Sequence, residues 1–197
     1  SFYHFVSRAA FNIEGLGPKI IDRLLDDGLV QDFSDLFELK EGDIVHLERF
    51  GKKSAENLIN SIQEKKQISL PRFIYALGIR NIGEETANDL ASNFHSIEKL
   101  KNAKLQDFEL ILNIGPVVAG SIYEWFNNKD NLRLLDKLLK SGIKIKYLGK
   151  EIKKKLSGKI FIFTGTIDSI ERNLAKEKVR QLGGQTTESV SQKIDFV

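Results

Sequence analysis

Cysteine is absent from the 197 residues, and only three histidines are present. Disulfide staples are thereby excluded, and so is a cysteine- or histidine-built zinc cage within this stretch. Long apolar runs are missing as well. No stretch approaches the roughly 18 apolar residues of a membrane-spanning helix. The opening SFYHFVSRAAF has neither the basic start nor the long apolar core of a secretory signal. Neither sign of charge dominates: 30 Lys and Arg stand against 27 Asp and Glu, a net +3, which alone does not argue for nucleic acid. What remains, 41% apolar and 29% charged, is the composition of a soluble globular protein in a reducing compartment, with no membrane partner. The length suits one large domain or two small ones. The chain opens on Ser1 and stops at KIDFV inside a run that reads as strand. We read it as a piece of a longer protein.

A repeat occupies the first three-quarters. IEGLG at 13–17, LERFG at 47–51, IRNIG at 79–83 and ILNIG at 111–115 share the pattern apolar, any, any, apolar, glycine. Each precedes a stretch with helix-start signals and helical apolar spacing. The glycines at 17, 51, 83 and 115 lie 34, 32 and 32 residues apart. Four residues after each comes Ile21, Ala55, Ala87 or Ala119, a position on the inward face of the first turn, where a small residue lets another helix pack close. A longer repeat overlies the short one. The segments before the second and fourth glycines each contain a serine, Ser34 and Ser96, expected to N-cap a short helix. The units therefore pair as one with two and three with four. A tetratricopeptide solenoid has the same period, but its Trp/Leu/Gly/Tyr signature is missing, and its glycine lies within a helix.

The start of a helix leaves backbone N–H groups unpaired and carries partial positive charge, which makes it a natural phosphate site. Glycine before it lets a phosphate approach without meeting a Cβ, and is expected here at positive φ, turning several N–H groups to one side. The third hairpin positions are Gly15, Arg49, Asn81 and Asn113. Glycine and asparagine tolerate the left-handed region better than arginine does. The candidate phosphate contacts are Gly15, Leu16, Gly17 and Lys19; Arg49, Gly51, Lys52 and Lys53; Arg80, Asn81 and Gly83; and Asn113 and Gly115. Backbone freedom places Gly15–Gly17 first, Gly83 and Gly115 next, and Gly51 last. Taken singly, Lys19, Lys52, Lys53 and Arg80 also read as solvated surface charge. Backbone–phosphate contacts carry no base information, so binding is expected to be independent of sequence and sensitive to salt.

The repeated unit resembles the helix-hairpin-helix motif of DNA repair and replication proteins. The run HFVSRAAFNIEGLGPKIIDRLLDDGLV, then DLFEL, FGKKSAENLINSI and ALGIRNIGEETANDLA, resembles the C-terminal half of the bacterial NAD-dependent DNA ligases, segments between the repeats included. In that family four such motifs form a compact domain that grips the minor groove of nicked duplex DNA. The resemblance implies a mainly α fold over residues 1–146, with four motifs in two pairs around 13–29, 41–64, 73–94 and 105–126.

Trp125 and Phe126 are followed by a further helix capped by Gly142, then a short extended stretch. Between Lys144 and Lys159 there are seven lysines and one acid, Glu151. A basic, helix-poor run of this kind reads as a linker, over 147–157, with a soluble spacer and a DNA-attracting tether equally open. Beyond it GKIFIFTGT, SIERNLAKEKVRQLGG and QTTESV read as strand, helix and strand, a parallel α/β unit. The TGT loop is no Walker motif, since no Gly-Lys-Ser/Thr follows. Residues 158–197 resemble the first half of a BRCT domain, a module that the same ligases carry. Some BRCT domains hold phosphoserine peptides through a hydroxyl and a backbone N–H of the first loop, which Thr164 and Gly165 match. The lysine of the later helix has no counterpart here.

No Lys-x-Asp-Gly, the family's adenylation motif, occurs; the nearest Asp-Gly, Asp27–Gly28, follows Leu25–Asp26. The acid pairs Asp26–Asp27 and Glu84–Glu85 read as helix surface, and none is assigned to a metal. The segment is expected to be non-catalytic and to bind no cofactor. The resemblance implies a cytoplasmic, nucleoid-associated, monomeric parent that uses NAD, Mg or Mn and a structural zinc, and works with adenylation, OB and zinc-finger domains of the same chain. Two other readings stay open: the tail of an excision nuclease, and a protein-interaction module with purely structural repeats.

Overall fold

The computed structural model describes residues 1–47, 50–147, 156, 158–164, 175–176, 178–179, 182–187 and 194–196. It divides into two compact units, Ser1–Leu148 and Gly149–Val197.

The first unit is helical. Its elements are α1 (Phe2–Val6), α2 (Pro18–Asp26), a 3-10 turn (Asp35–Phe37), α3 (Glu41–Ile44), α4 (Lys52–Glu64), β1 (Gln67–Ser69), α5 (Leu70–Ala76), α6 (Glu84–Phe94), α7 (Ile97–Lys101), α8 (Leu105–Glu109), α9 (Pro116–Asn127), α10 (Lys129–Lys140) and β2 (Lys144–Lys146). Most of these helices are too short to persist alone in water, so tertiary burial must hold them. One continuous core does this, with Phe5, Phe37, Phe73, Phe108, Leu36, Leu70 and Leu90 among its fully buried side chains. Burying each such side chain stabilises by about 1.5–3 kcal/mol. The N-terminal segment is fixed by an aromatic cluster, with Phe5 stacked on both Phe11 and Phe33 at 4.4 Å. It is fixed also by Arg72, which donates to the carbonyls of Ala10 at 2.8 Å and Arg8 at 2.6 Å. The Tyr3 hydroxyl donates to Asp22, tying α1 to α2.

Lys144–Lys146, the short extended stretch at the end of residues 1–146, pairs in parallel with Gln67–Ser69, which ties it to the helical unit. One detail of the sequence reading changes. Ser34 is no side-chain cap: its hydroxyl and N–H both turn to Asp32, while the Asp35 carboxylate accepts from the N–H groups of Gln31 and Asp32 at 2.8 and 2.9 Å. Ser96 does cap, accepting from the Lys99 N–H at 3.2 Å. Gly142 follows α10 at φ +93°, the left-handed turn that ends many helices.

In the second unit β3 (Ile160–Ile162) and β4 (Gln185–Thr187) pair in parallel, the strand arrangement expected of this segment. Phe196 bridges Phe161 on the other side, also in parallel, with the rings stacked at 4.8 Å. Gly184 is packed so tightly that a Cβ there would stand 2.7 Å from Val179 Cγ1. Asp195 accepts from the Ile160 N–H at 2.8 Å and from Lys159 Nζ at 3.0 Å, and these bonds hold its carboxyl below the usual range. Thr164 is described and Gly165 is not, so the proposed loop pair lies partly outside the described residues.

Candidate nucleic-acid interface

The four hairpins have one hydrogen-bond plan. The fourth residue donates to the carbonyl of the first: Leu16 to Ile13 at 3.4 Å, Phe50 to Leu47 at 2.9 Å, Ile82 to Ile79 at 3.2 Å and Ile114 to Ile111 at 3.1 Å. Four residues past each glycine, Ile21, Ala55, Ala87 and Ala119 donate to the carbonyls of Gly17, Gly51, Gly83 and Gly115 at 2.9–3.0 Å. All four side chains are buried, as the inward-face reading requires. Within the turns the pattern is legible in burial: Ile13, Leu16, Leu47, Ile79, Ile111 and Ile114 point into the core, while the described second, third and fifth positions are exposed.

The left-handed conformation is found at the third position, where glycine and asparagine were read as tolerating it, and not at the fifth-position glycine, where positive φ was also expected. Gly17, Gly51, Gly83 and Gly115 are extended, with φ between −97° and −77°, conformations open to any L-residue. Positive φ falls two residues earlier, at Gly15 (+83°), Asn81 (+65°) and Asn113 (+72°). A turn of this form needs φ above zero at its third residue, the position where glycine and asparagine are favoured. Arg49 lies outside the described residues. The fifth-position glycines serve instead as N-caps without a side chain, with nothing within 4 Å of the place a Cβ would occupy.

That absence of bulk leaves backbone donors facing solvent. Among the described residues, no carbonyl or side chain accepts from the N–H groups of Gly17 and Lys19; of Gly51, Lys52 and Lys53; of Gly83, Glu84 and Glu85; or of Gly115 and Val117. Pro18 and Pro116 have no N–H to satisfy. Lys19, Lys52, Lys53 and Arg80 are exposed beside these helix starts. Glu84 and Glu85 lie in the first turn of α6, and burial together with Glu85 raises the Asp89 carboxyl above the usual range. Gly83 thus opens the helix start with the most acidic first turn, a charge effect that ranking by backbone freedom alone left out.

The hairpins also lean on one another. Asn81 Nδ2 donates to Ser121 Oγ of α9 at 3.3 Å, and a Cβ on Gly15 would meet Leu58 of α4 at 3.6 Å. Hairpin one therefore abuts the helix of hairpin two, and hairpin three the helix of hairpin four. A second echo at 64 residues (107 − 43) reinforces the pairing: the Asp43 and Asp107 carboxylates accept from the Lys40 and Lys104 N–H groups, both at 2.8 Å. Ser121, Asp43 and Asp107 were not singled out in the sequence. The Lys-x-x-Asp spacing is the signal of the two aspartates. Between α2 and α4 runs a groove of about 1140 Å³ with Lys19, Ser54 and Asn57 on its walls.

Two helix-hairpin-helix family models match this chain: a SAM-like helix-hairpin-helix tandem over residues 8–64 and a helix-hairpin-helix motif over 72–135. The chain carries helix-hairpin-helix motifs and is similar along its whole length to a segment of DNA ligases. The DNA ligase of Carboxydothermus hydrogenoformans is 45% identical over 194 residues, 98% of this chain and 29% of that protein. That of Coxiella burnetii is 41% identical over the full 197 residues, and that of Geotalea uraniireducens 44% identical over 194. The chain spans under a third of the length of these relatives, 29% in each case. A BRCA1 C terminus (BRCT) model matches residues 151–197. Among the described residues no helix is long and apolar enough to cross a membrane, and no group of three or more His, Asp or Glu is placed to hold a metal ion.

Proposed function

We propose that this chain is the non-catalytic DNA-gripping part of an NAD-dependent ligase that seals 5′-phosphate/3′-hydroxyl nicks in replication and repair. One observation carries the proposal: four helix starts, each opened by a bare, extended glycine and presenting N–H groups that no group among the described residues accepts. Dipole and N–H groups together favour a phosphate at each. Their donors are backbone, which reconciles anion binding with a net charge of only +3. The candidate contacts are Gly15, Gly17, Lys19, Gly51, Lys52, Lys53, Arg80, Asn81, Gly83, Asn113 and Gly115, with Arg49 a further candidate; Leu16 is set aside, its N–H donating to Ile13 and its side chain buried.

Residues 1–146 are the gripping domain, 147–157 the basic tether and 158–197 the first half of the BRCT domain. The segment works as a monomer on nicked duplex in the cytoplasm, and positions the nick for adenylation and OB domains elsewhere in the same polypeptide. With no cysteine and no Lys-x-Asp-Gly, these residues do not fit the zinc site or the AMP-accepting site. NAD, Mg or Mn and zinc would be held by other parts of the enzyme. The test is nick sealing by a polypeptide that carries this segment. Sealing is expected with NAD and not ATP as AMP donor, and removal of residues 1–146 should abolish it while self-adenylation persists. A parent that cannot take AMP from NAD, or one that seals equally well without residues 1–146, would overturn the proposal.

A further inference from the structure

The four hairpins share a backbone, and the fourth carries a different surface. Three register positions show the change. Just before the turn stand Asn12, His46 and Gly78 in the first three hairpins, and Leu110 in the fourth. At the second turn position stand Glu14, Glu48 and Arg80, and then Leu112. At the second helical position stand Lys19, Lys53 and Glu85, and then Val117. Every change runs from polar or glycine to apolar. Leu110, Leu112 and Val117 are 83%, 64% and 74% exposed, and the next most open large apolar side chains described are Phe196 at 49% and Tyr3 at 47%.

Single exposed apolar side chains are ordinary. Three at one hairpin mark a contact surface. Core packing does not ask for them, because Ile111, Ile114 and Ala119 already fill the inward positions. From Leu110 to Val118 the run LILNIGPVV carries no charge.

We propose that Leu110, Leu112 and Val117 pack on the sugar and base edges of duplex DNA, between the phosphates held by the helix starts. The inference rests on the DNA-gripping reading and adds a second, apolar mode of contact to it. The patch is interleaved with the phosphate cradle residue by residue: Leu112 adjoins the left-handed Asn113, and Val117 stands two residues past Gly115. A phosphate reaching the Gly115 and Val117 N–H groups brings its neighbouring sugar, the uncharged part of the duplex, against these side chains. The Asn81–Ser121 bond places hairpin three beside α9, and hairpin three opens on Glu84 and Glu85. The pair with the weaker electrostatic hold is therefore the pair with the apolar surface.

The two modes separate by salt. Phosphate neutralisation gives a slope of log K against log salt of about −0.9 per phosphate, whereas apolar packing adds affinity without slope. The experiment titrates a fluorescent duplex with the 197-residue chain at several salt concentrations, comparing wild type, Leu112→Ser/Val117→Ser and Lys52→Ala/Lys53→Ala. The apolar variant is expected to lose affinity about ten- to a hundredfold, with unchanged slope and an unchanged melting temperature. The lysine variant is expected to lower the slope. Equal affinity of the apolar variant and wild type at every salt concentration would overturn the proposal. So would a loss accompanied by a lower slope. A wild-type dimer dispersed by the apolar substitutions with DNA affinity intact would overturn it in favour of an interface between copies. Failure of the unsubstituted chain to bind would instead defeat the underlying DNA-gripping reading.

Discussion

Gly17→Val is the substitution in which fold and function come apart most cleanly. Gly17 is extended, at φ −77° and ψ 170°, and it precedes Pro18, a setting that already favours the β region for any residue. No atom lies within 4 Å of the place its Cβ would take, so the valine side chain projects into solvent. Valine is a poorer N-cap than glycine by about 1 kcal/mol. Restricting the unfolded chain returns about 0.4–1 kcal/mol. The melting temperature should therefore stay within about 4 °C of wild type. Binding should respond differently. The branched side chain would stand where a phosphate must come to reach the Gly17 and Lys19 N–H groups. Losing one hydrogen bond to a charged group, about 1.5–3 kcal/mol, weakens binding about ten- to a hundredfold. Gly15→Val makes the contrast. At φ +83° a side chain is strained by about 1–2 kcal/mol, so that variant should lose stability as well. The assays are a thermal melt and an anisotropy titration with duplexes of unrelated sequence. A folded Gly17→Val chain that binds like wild type would refute the phosphate-cradle reasoning at this hairpin.

Lys19→Ala with Lys52→Ala and Lys53→Ala should lower the salt slope of binding by up to about 0.9 for each phosphate that is no longer neutralised, alike for all sequences, as measured by salt titration. Phe73→Ala should cost about 3–5 kcal/mol in chemical denaturation of the helical unit, because Phe73 is fully buried. The Asp32–Lys137 pair, at 2.6 Å, gives a pH signature. Partial burial opposes the Asp32 charge, but hydrogen bonds from Lys137 and Ser34 outweigh it and hold the carboxyl below its usual range. Its contribution is therefore complete above the ordinary carboxylate range and lost as pH falls through the lowered value. Asp32→Asn should flatten that part of the stability–pH curve, and an unchanged curve would deny the pair a role.

The repeat, its helices and its buried alanines were legible because apolar-x-x-apolar-Gly encodes a turn and a helix start within one short window. The conformation inside that window was half legible. Gly15, Asn81 and Asn113 occupy the left-handed third position that their residue types suit, but the positive φ also expected at the fifth-position glycine is absent, and that glycine is extended. The β1–β2 pairing was illegible for a different reason. Gln67–Ser69 and Lys144–Lys146 are too short to show alternation, and the paired residues stand 77 positions apart (144 − 67) in the sequence. Ser34 failed as a cap because its hydroxyl donates to Asp32 and the Phe37 N–H goes to the Ser34 carbonyl instead, which a serine-based rule does not weigh. The exposed face of hairpin four was present in the letters, but LILNIGPVV reads as core until the structure shows which residues point outward.

The central claim is that backbone N–H groups at repeated helix starts grip DNA phosphates without reading bases. Its most direct measurement is the affinity of this chain for several duplexes of unrelated sequence across salt concentrations from about 50 to 200 mM. The account predicts equal affinities for all sequences at each salt concentration, and a linear fall of log K with log salt. No binding at the lowest salt, a salt-independent affinity, or strong preference for one sequence would contradict it.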